Sequence, residues 1–280
     1  AFKEIAQRVQ KCMDSEIAGP IHINIPIREP FYDFNTEGLE EIANEVKKLK
    51  TFEISAASIA KHTGLDFNLK KVLMFNGMDD GEDIRLASDD NSVILSDLTS
   101  NQTSDVHYWD AMLFSAQSKP NGIEFLSVLR PDVLITTGTT AISKGLKRFL
   151  QFHKPEHHFH ISSYYEVGDM FETNPTIIHP KEIQPVEETE NDVDGEREGA
   201  YVNAWLNMTR EFQDRFSQLE WSTYNEFCVI NYVLSKIPKN AILHVSNSMP
   251  PRYVSFLLNS DINNITVQCN RGTSGIDGST

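Results

Sequence analysis

The sequence predicts an α/β fold, a three-layer α/β/α domain on a parallel sheet with partial α/β units on either side. Two observations carry this. Residues 72–75, 93–95 and 132–135 are short apolar runs without polar alternation, the pattern of strands covered on both faces. Helix-period segments separate them, and a strand–helix–strand order sets successive strands side by side in parallel. The central domain is therefore expected to be Rossmann-like.

Taken in order, residues 1–15 place Phe2, Ile5, Val9, Cys12 and Met13 on one side of a helix. Gly19-Pro20 breaks it, and residues 21–25 alternate as a strand closed by Pro26 and Pro30. This pair is too small to fold alone and reads as the C-terminal tail of a preceding domain, residues 1–34. The central domain, 35–200, opens with a helix over 39–50 that is apolar at Leu39, Ile42, Val46 and Leu49. Its 72–75 strand ends at Asn76-Gly77, and Asp79 to Asp83 read as a solvated turn and helix start. The 132–135 strand ends at Gly138, and residues 159–161 and 176–178 are two weaker strands. Residues 181–200 are acidic and nearly free of large apolar groups, which marks a linker. A third unit, 201–280, follows. Thr223 and Glu226 form a capping box, and Phe227, Ile230, Val233, Leu234 and Ile237 share a helix face until Pro238. A strand over 241–245, a helix over 251–258 and a strand over 265–269 then make one βαβ step.

Composition narrows the function. The chain is 40% hydrophobic and 23% charged, ordinary globular values that exclude a disordered or fibrous protein. Its net charge of -15 has no dense Lys/Arg cluster to offset it, so nucleic acid is not an expected partner. An anion must be met by a few aimed basic groups and backbone donors. Cys12, Cys228 and Cys269 form no CxxC pair, which argues for reduced thiols in a cytoplasmic protein. No apolar run reaches membrane-spanning length.

Chemistry concentrates where strands of the third unit end. Asn247-Ser-Met-Pro-Pro-Arg252 follows the 241–245 strand, and Asn270-Arg-Gly272 follows the 265–269 strand. Parallel pairing of those strands sets Arg252 and Arg271 at the carboxyl edge of the sheet, where open α/β sheets bind ligands. Ser248 is placed to cap the intervening helix, whose start then offers free N–H groups and a positive dipole end. Two guanidinium forks suit a substrate with more than one carboxylate. The equally open alternative is a plain helix start with two surface salt bridges. The run Thr136-Thr-Gly-Thr-Thr-Ala-Ile-Ser-Lys144 resembles a phosphate cradle but matches no glycine-rich nucleotide signature, and a plain βα connection is favoured. His153, His157, His158 and His160 lack metal-ligand spacing. Residues 190–195 imitate a calcium loop but place Tyr201 where a bidentate Glu is required. No metal site and no catalytic triad is assigned.

Four strings resemble one family. Gly19-Pro-Ile-His-Ile-Asn-Ile-Pro-Ile-Arg-Glu-Pro30 is similar to the segment that ends the pyrimidine-binding domain of thiamine-diphosphate enzymes. The 247–252 string and Asn270-Arg-Gly-Thr-Ser-Gly-Ile-Asp-Gly278 together resemble the menaquinone-pathway branch of that family, the synthases of succinyl-enolpyruvyl-hydroxycyclohexene-carboxylate (SEPHCHC). Ser143-Lys144, ahead of Leu146, Phe149 and Leu150, resembles the same enzymes' central-domain lysine region, although Gly145 stands where some relatives carry arginine.

The resemblance implies a piece of a longer enzyme: the end of a pyrimidine-binding domain, a whole central domain and the start of a diphosphate-binding domain. Its cofactors would be thiamine diphosphate and Mg2+, and its substrates the dicarboxylates 2-oxoglutarate and isochorismate. The cofactor's ylid would attack the keto carbon of 2-oxoglutarate, carbon dioxide would leave, and the succinyl-semialdehyde unit would add to isochorismate. Arg252, with Asn247 and Ser248, would hold substrate carboxylates, and Arg271 that of the 2-oxoglutarate-derived adduct. Lys144 would reach toward isochorismate. Ser274, Gly275 and Ile276 would contact the cofactor, Ile276 as the apolar wedge that bends it. The glutamate that drives ylid formation and the Gly-Asp motif that binds magnesium would lie outside these residues. No catalytic residue is therefore assigned here, and the isolated chain is expected to be inactive. The full-length protein is expected to be a homodimer or homotetramer. Two alternatives stand beside this reading: another thiamine-diphosphate decarboxylase or carboligase, and a module that binds a nucleotide or effector at the 138–144 turn.

Overall fold

The structure, a computed structural model, describes residues 52–78, 84–164, 168–184, 199–221, 224–258 and 265–269. All of these belong to the larger of two units, residues 51–280. The helices expected over 1–15 and 39–50, the strand over 21–25 and most of the acidic 181–200 stretch lie outside the described residues.

Five parallel strands form the main sheet in the order β4 (Ser92–Ser96), β2 (Val72–Asn76), β5 (Val133–Thr137), β6 (His157–Ile161), β7 (Thr176–Ile178). Every residue of β2, β4 and β5 is buried, as continuous apolar runs require. Alternate side chains serve two cores. Leu73, Phe75, Val93, Leu95 and Leu134 pack with helices α2 (Trp109–Gln117), α4 (Lys144–Phe152) and α5 (Ala200–Ser217). Val72, Met74, Ile94, Val133 and Ile135 pack on the opposite face. There they meet helix α1 (Ala56–Thr63) and a parallel pair of short strands, β1 (Phe52–Ser55) and β3 (Ile84–Ala87). A short helix, α3 (Gly122–Phe125), links α2 toward β5.

The α/β class and the five strands match expectation. The segment after Asp83 does not. Ile84 begins a strand rather than a helix, with Ile84 and Leu86 buried and Arg85 exposed. Four residues of alternation are too short to read from sequence, and the pairing with β1 is what makes them a strand.

The third cluster is smaller. Strands β8 (Ile242–Val245) and β9 (Thr266–Cys269) pair in parallel, with Val245 opposite Cys269. Helices α6 (Glu226–Leu234) and α7 (Pro250–Leu257) cover them through Leu234, Val254 and Leu257. Helix α6 starts later than the expected capping box. Asn225 is its N-cap and accepts from the Cys228 N–H at 2.9 Å, a task asparagine performs as well as threonine. Thr223 lies outside the described residues. Val233 was expected on the apolar face but is 47% exposed, while Phe227, Ile230 and Ile237 pack inward. Helix α5 bridges the cores. Tyr201, Val202 and Trp205 enter the main one, and Phe216 meets Trp221 and Phe227 in the third.

On the helix-bearing face of β5 and β6 the expected apolar run gives way to polar groups. Thr136 Oγ1 lies 2.8 Å from both His158 Nε2 and His160 Nδ1, and His158 Nδ1 lies 2.7 Å from Thr173 Oγ1. A hydroxyl has one proton, so at most one imidazole accepts from Thr136 and at least one donates to it. Loss of hydration drives both imidazoles down to about 4. The unfolded chain protonates them near 6.5, so their contribution is fully present above that pH and lost as pH falls toward 4. The fall in unfolding free energy between pH 7.5 and 5.0 should therefore shrink by about 2 kcal/mol in His160→Gln relative to wild type. Urea titrations at the two pH values measure it, and an equal fall in both proteins would contradict the assignment.

Candidate functional site

The carboxyl end of β8 leads through residues 246–249 into α7. Ser248 adopts φ 77, a left-handed conformation that costs a non-glycine residue on the order of 1 kcal/mol and that clusters at functional sites. Two bonds hold it there. Its N–H donates to Asn247 Oδ1 at 2.7 Å, and its carbonyl accepts from Arg252 Nη1 at 2.8 Å. Asn247, Ser248 and Arg252, singled out from sequence, are thus tied in one knot.

The helix start differs from expectation. Met249, not Ser248, is the N-cap, and no side chain caps the helix. The left-handed turn commits the Ser248 backbone to Asn247 and Arg252 instead. Pro250 and Pro251 have no N–H, and the N–H groups of Arg252 and Tyr253 both bond the Met249 carbonyl, at 2.9 and 3.1 Å. The expected free backbone donors in this turn are therefore spent or missing. The guanidinium remains. Arg252 Nε is buried with no hydrogen-bond partner among the described residues, a costly state for a charged donor. Arg271, Ser274, Gly275 and Ile276 lie outside the described residues.

Lys144 is the exposed first residue of α4. Ser143 caps that helix by accepting from the Leu146 N–H at 2.9 Å. Gly145 faces α2 so closely that an added Cβ would stand 3.3 Å from Leu113 Cβ and from the Phe114 nitrogen. A larger side chain such as arginine would push the two helices apart.

The hydroxyl-rich turn before Lys144 is closed. Gly77 N–H bonds Thr137 O, Met78 N–H bonds Thr140 O, and Thr139 N–H bonds Met78 O, at 2.8–3.0 Å. Gly138, at φ 77, comes near enough that a Cβ would lie 2.5 Å from Met78 O. The anion in this turn is internal. Asp97, directly after β4, accepts from Ile142 N–H at 2.6 Å, Thr99 N–H at 3.1 Å and Thr99 Oγ1 at 2.8 Å. Burial pushes the Asp97 carboxyl above its ordinary range, and these donors oppose that shift. The Asp97 carboxylate takes up the Ile142 N–H, a backbone donor of this turn, as fits a plain βα connection.

A second buried carboxylate, Asp110, stands in the first turn of α2. Its Oδ1 accepts from Ser143 Oγ and its Oδ2 from Ser255 Oγ at 2.7 Å. Burial pushes it up to about 6, the Ser143 and Ser255 hydroxyls lower it, nearby Asp97 raises it and Arg252 lowers it. Asn101, in the turn after β4, bonds both backbone groups of Val267, at 2.7 and 3.1 Å, and so pins β9 to the main domain. Between these ties lies a cavity of about 180 Å³, lined among others by Asp97, Asp110, Tyr108, Ser255, Leu258 and Ile265. Neither aspartate was among the residues singled out from sequence. For Asp110 the available signal was a lone acidic residue set inside the apolar stretch Trp109-Asp-Ala-Met-Leu-Phe114.

Among the described residues no group of three or more His, Cys, Asp or Glu is placed to bind a metal ion. His153 Nε2 instead lies 2.8 Å from the Ile123 carbonyl. Cys228 and Cys269 are half-buried. No described helix is long and apolar enough to cross a membrane.

Removing the Asp97 carboxylate strands three donors at a buried position. Asp97→Ala should lower unfolding free energy by about 2–4 kcal/mol, read from urea denaturation. A loss below about 0.5 kcal/mol, the level of an ordinary surface substitution, would refute the internal-anion description.

Comparison with known proteins places this geometry in context. No family model matches the chain. It is similar to 2-succinyl-5-enolpyruvyl-6-hydroxy-3-cyclohexene-1-carboxylate synthases from several bacteria. Identity to that of Bacteroides fragilis is 30% over 275 residues, covering 93% of this chain and 46% of the relative. The Bacteroides thetaiotaomicron enzyme is 29% identical over 271 residues, with the same two coverages. The Christiangramia forsetii enzyme is 28% identical over 289 residues, covering 99% of this chain and 48% of its own. The chain thus spans about half the length of the curated relatives it matches. The resemblance to SEPHCHC synthases noted in four strings extends along nearly the whole sequence.

Proposed function

We propose that this chain, similar to SEPHCHC synthases along nearly its whole length, is part of a cytoplasmic, thiamine-diphosphate- and Mg2+-dependent carboligase of that kind. The reaction would join the succinyl-semialdehyde unit of 2-oxoglutarate to isochorismate, a carbon–carbon bond-forming transfer in menaquinone biosynthesis. In this reading residues 1–34, 35–200 and 201–280 belong to the pyrimidine-binding, central and diphosphate-binding domains.

The observation that carries the reading is the Asn247–Ser248–Arg252 knot, in the string that the resemblance singles out and at the carboxyl edge of a parallel strand pair. A strained backbone there holds a guanidinium whose Nε is desolvated and unpaired among the described residues. Such a group suits a carboxylate, which would supply the missing partner through a charge-assisted bond. Lys144 and Arg271 would meet the other carboxylates of the two acids. Thiamine diphosphate, when bound, would supply the electron sink for decarboxylation. Ser274, Gly275 and Ile276 are the residues proposed to contact it. The groups derived from this chain bind, orient and neutralise charge. The assembled enzyme is proposed to be a homodimer or homotetramer, and the isolated chain to bind the cofactor weakly and to be inactive.

The full-length protein, given both acids, thiamine diphosphate and Mg2+, should release carbon dioxide and consume isochorismate in step, and should use pyruvate poorly. Equal or better turnover of pyruvate, or no loss of isochorismate, would refute the proposal. Arg252→Ala should raise KM for a carboxylate substrate about 10- to 100-fold, the worth of one or two hydrogen bonds to a charged group. An unchanged KM would remove Arg252 from the binding role.

A further inference from the structure

We propose that Asp110 is a positioning residue that fixes Lys144 and Arg252 relative to one another, and so tunes the site for an acceptor whose carboxylates have a set spacing. This rests on the functional reading above and deepens it.

The geometry is a single carboxylate bonded to two elements distant in sequence. Ser143, bonded to Oδ1, immediately precedes Lys144 and caps α4; Ser255, bonded to Oδ2, lies three residues after Arg252 on α7. Residues three apart share a helix face, so the tie acts on the same side of α7 as the guanidinium. Helix α2 carries the carboxylate, and its neighbours keep the joint rigid. Gly145 seats α4 against Leu113 and Phe114, and the Phe114 and Phe256 rings lie 5.2 Å apart between α2 and α7.

Stability alone gives no reason for a charge here. A desolvated carboxylate bonded only to hydroxyls is a poorer stabiliser than a packed apolar pair of the same volume. It does give two directional acceptors on one rigid fork, with Arg252 near enough to feel its field. Two cations that read one diacid lose affinity steeply when their separation drifts, since displacements near 1 Å cost on the order of 100-fold.

The test uses the full-length protein with Asp110→Ala, Ser255→Ala and Asp110→Asn. Asparagine keeps both contacts: its carbonyl accepts from Ser143 and its amide donates to a turned Ser255 hydroxyl. Asp110→Ala and Ser255→Ala should raise KM for isochorismate about tenfold or more, with a smaller effect on kcat, and Asp110→Asn should restore most of the loss. An acceptor KM unchanged in both, or kcat and KM lost together without rescue by asparagine, would overturn the proposal. Hydrogen exchange on the unliganded proteins separates this from failure of the functional reading. If wild type does not use isochorismate, that reading falls. The tie itself is then decided by exchange: faster exchange in both 143–152 and 250–257 for Asp110→Ala but not Asp110→Asn sustains it, and unchanged exchange overturns it.

Discussion

A carboxylate removed from water and shared between two hydroxyls joins the two parts of the described fold. Asp110 sits in the first turn of α2, and the ties to Ser143 and Ser255 meet on its two oxygens. Around it the joint is polar by design of the backbone as much as of side chains. Asn101 completes the edge of β9 with a pair of bonds that imitate a neighbouring strand, and Asp97 fills the turn before α4. Buried polar networks are tolerated only when each member is satisfied, and here each carboxylate has at least two described donors. Arg252 Nε has no partner among the described residues, and that is what makes a structural joint a candidate binding site.

The main sheet supplies the rigidity this needs. Two cores on opposite faces lock β2, β4 and β5, and the Thr136–His158–His160 network fills the one part of the helix-bearing face where apolar packing stops. That network accounts for the two neighbouring buried histidines, His158 and His160. Burial favours the neutral form of both imidazoles.

Much of this was legible in the sequence because parallel strands buried on both faces announce themselves as unbroken apolar runs. Val72, Val93 and Val133 each begin or join a strand within one residue of expectation. The 247–252 string was legible too, since prolines after a strand mark a helix start. What failed was governed by tertiary context. Strand β3 exists because β1 pairs with it, and the role expected of Ser248 passed to Met249 because Asn247 and Arg252 claim the Ser248 backbone. Asp97 and Asp110 were harder to read for a related reason: apart from Thr99, their partners Ile142, Ser143 and Ser255 are 33 to 145 residues away. No local pattern encodes those distant pairings.

The most direct measurement of the central claim is the structure of the full-length protein bound to isochorismate. The account requires a substrate carboxylate within hydrogen-bond distance of the Arg252 guanidinium, with Ser248 still in its left-handed conformation. An acid bound elsewhere, or Arg252 Nε left without a partner in that complex, would contradict it.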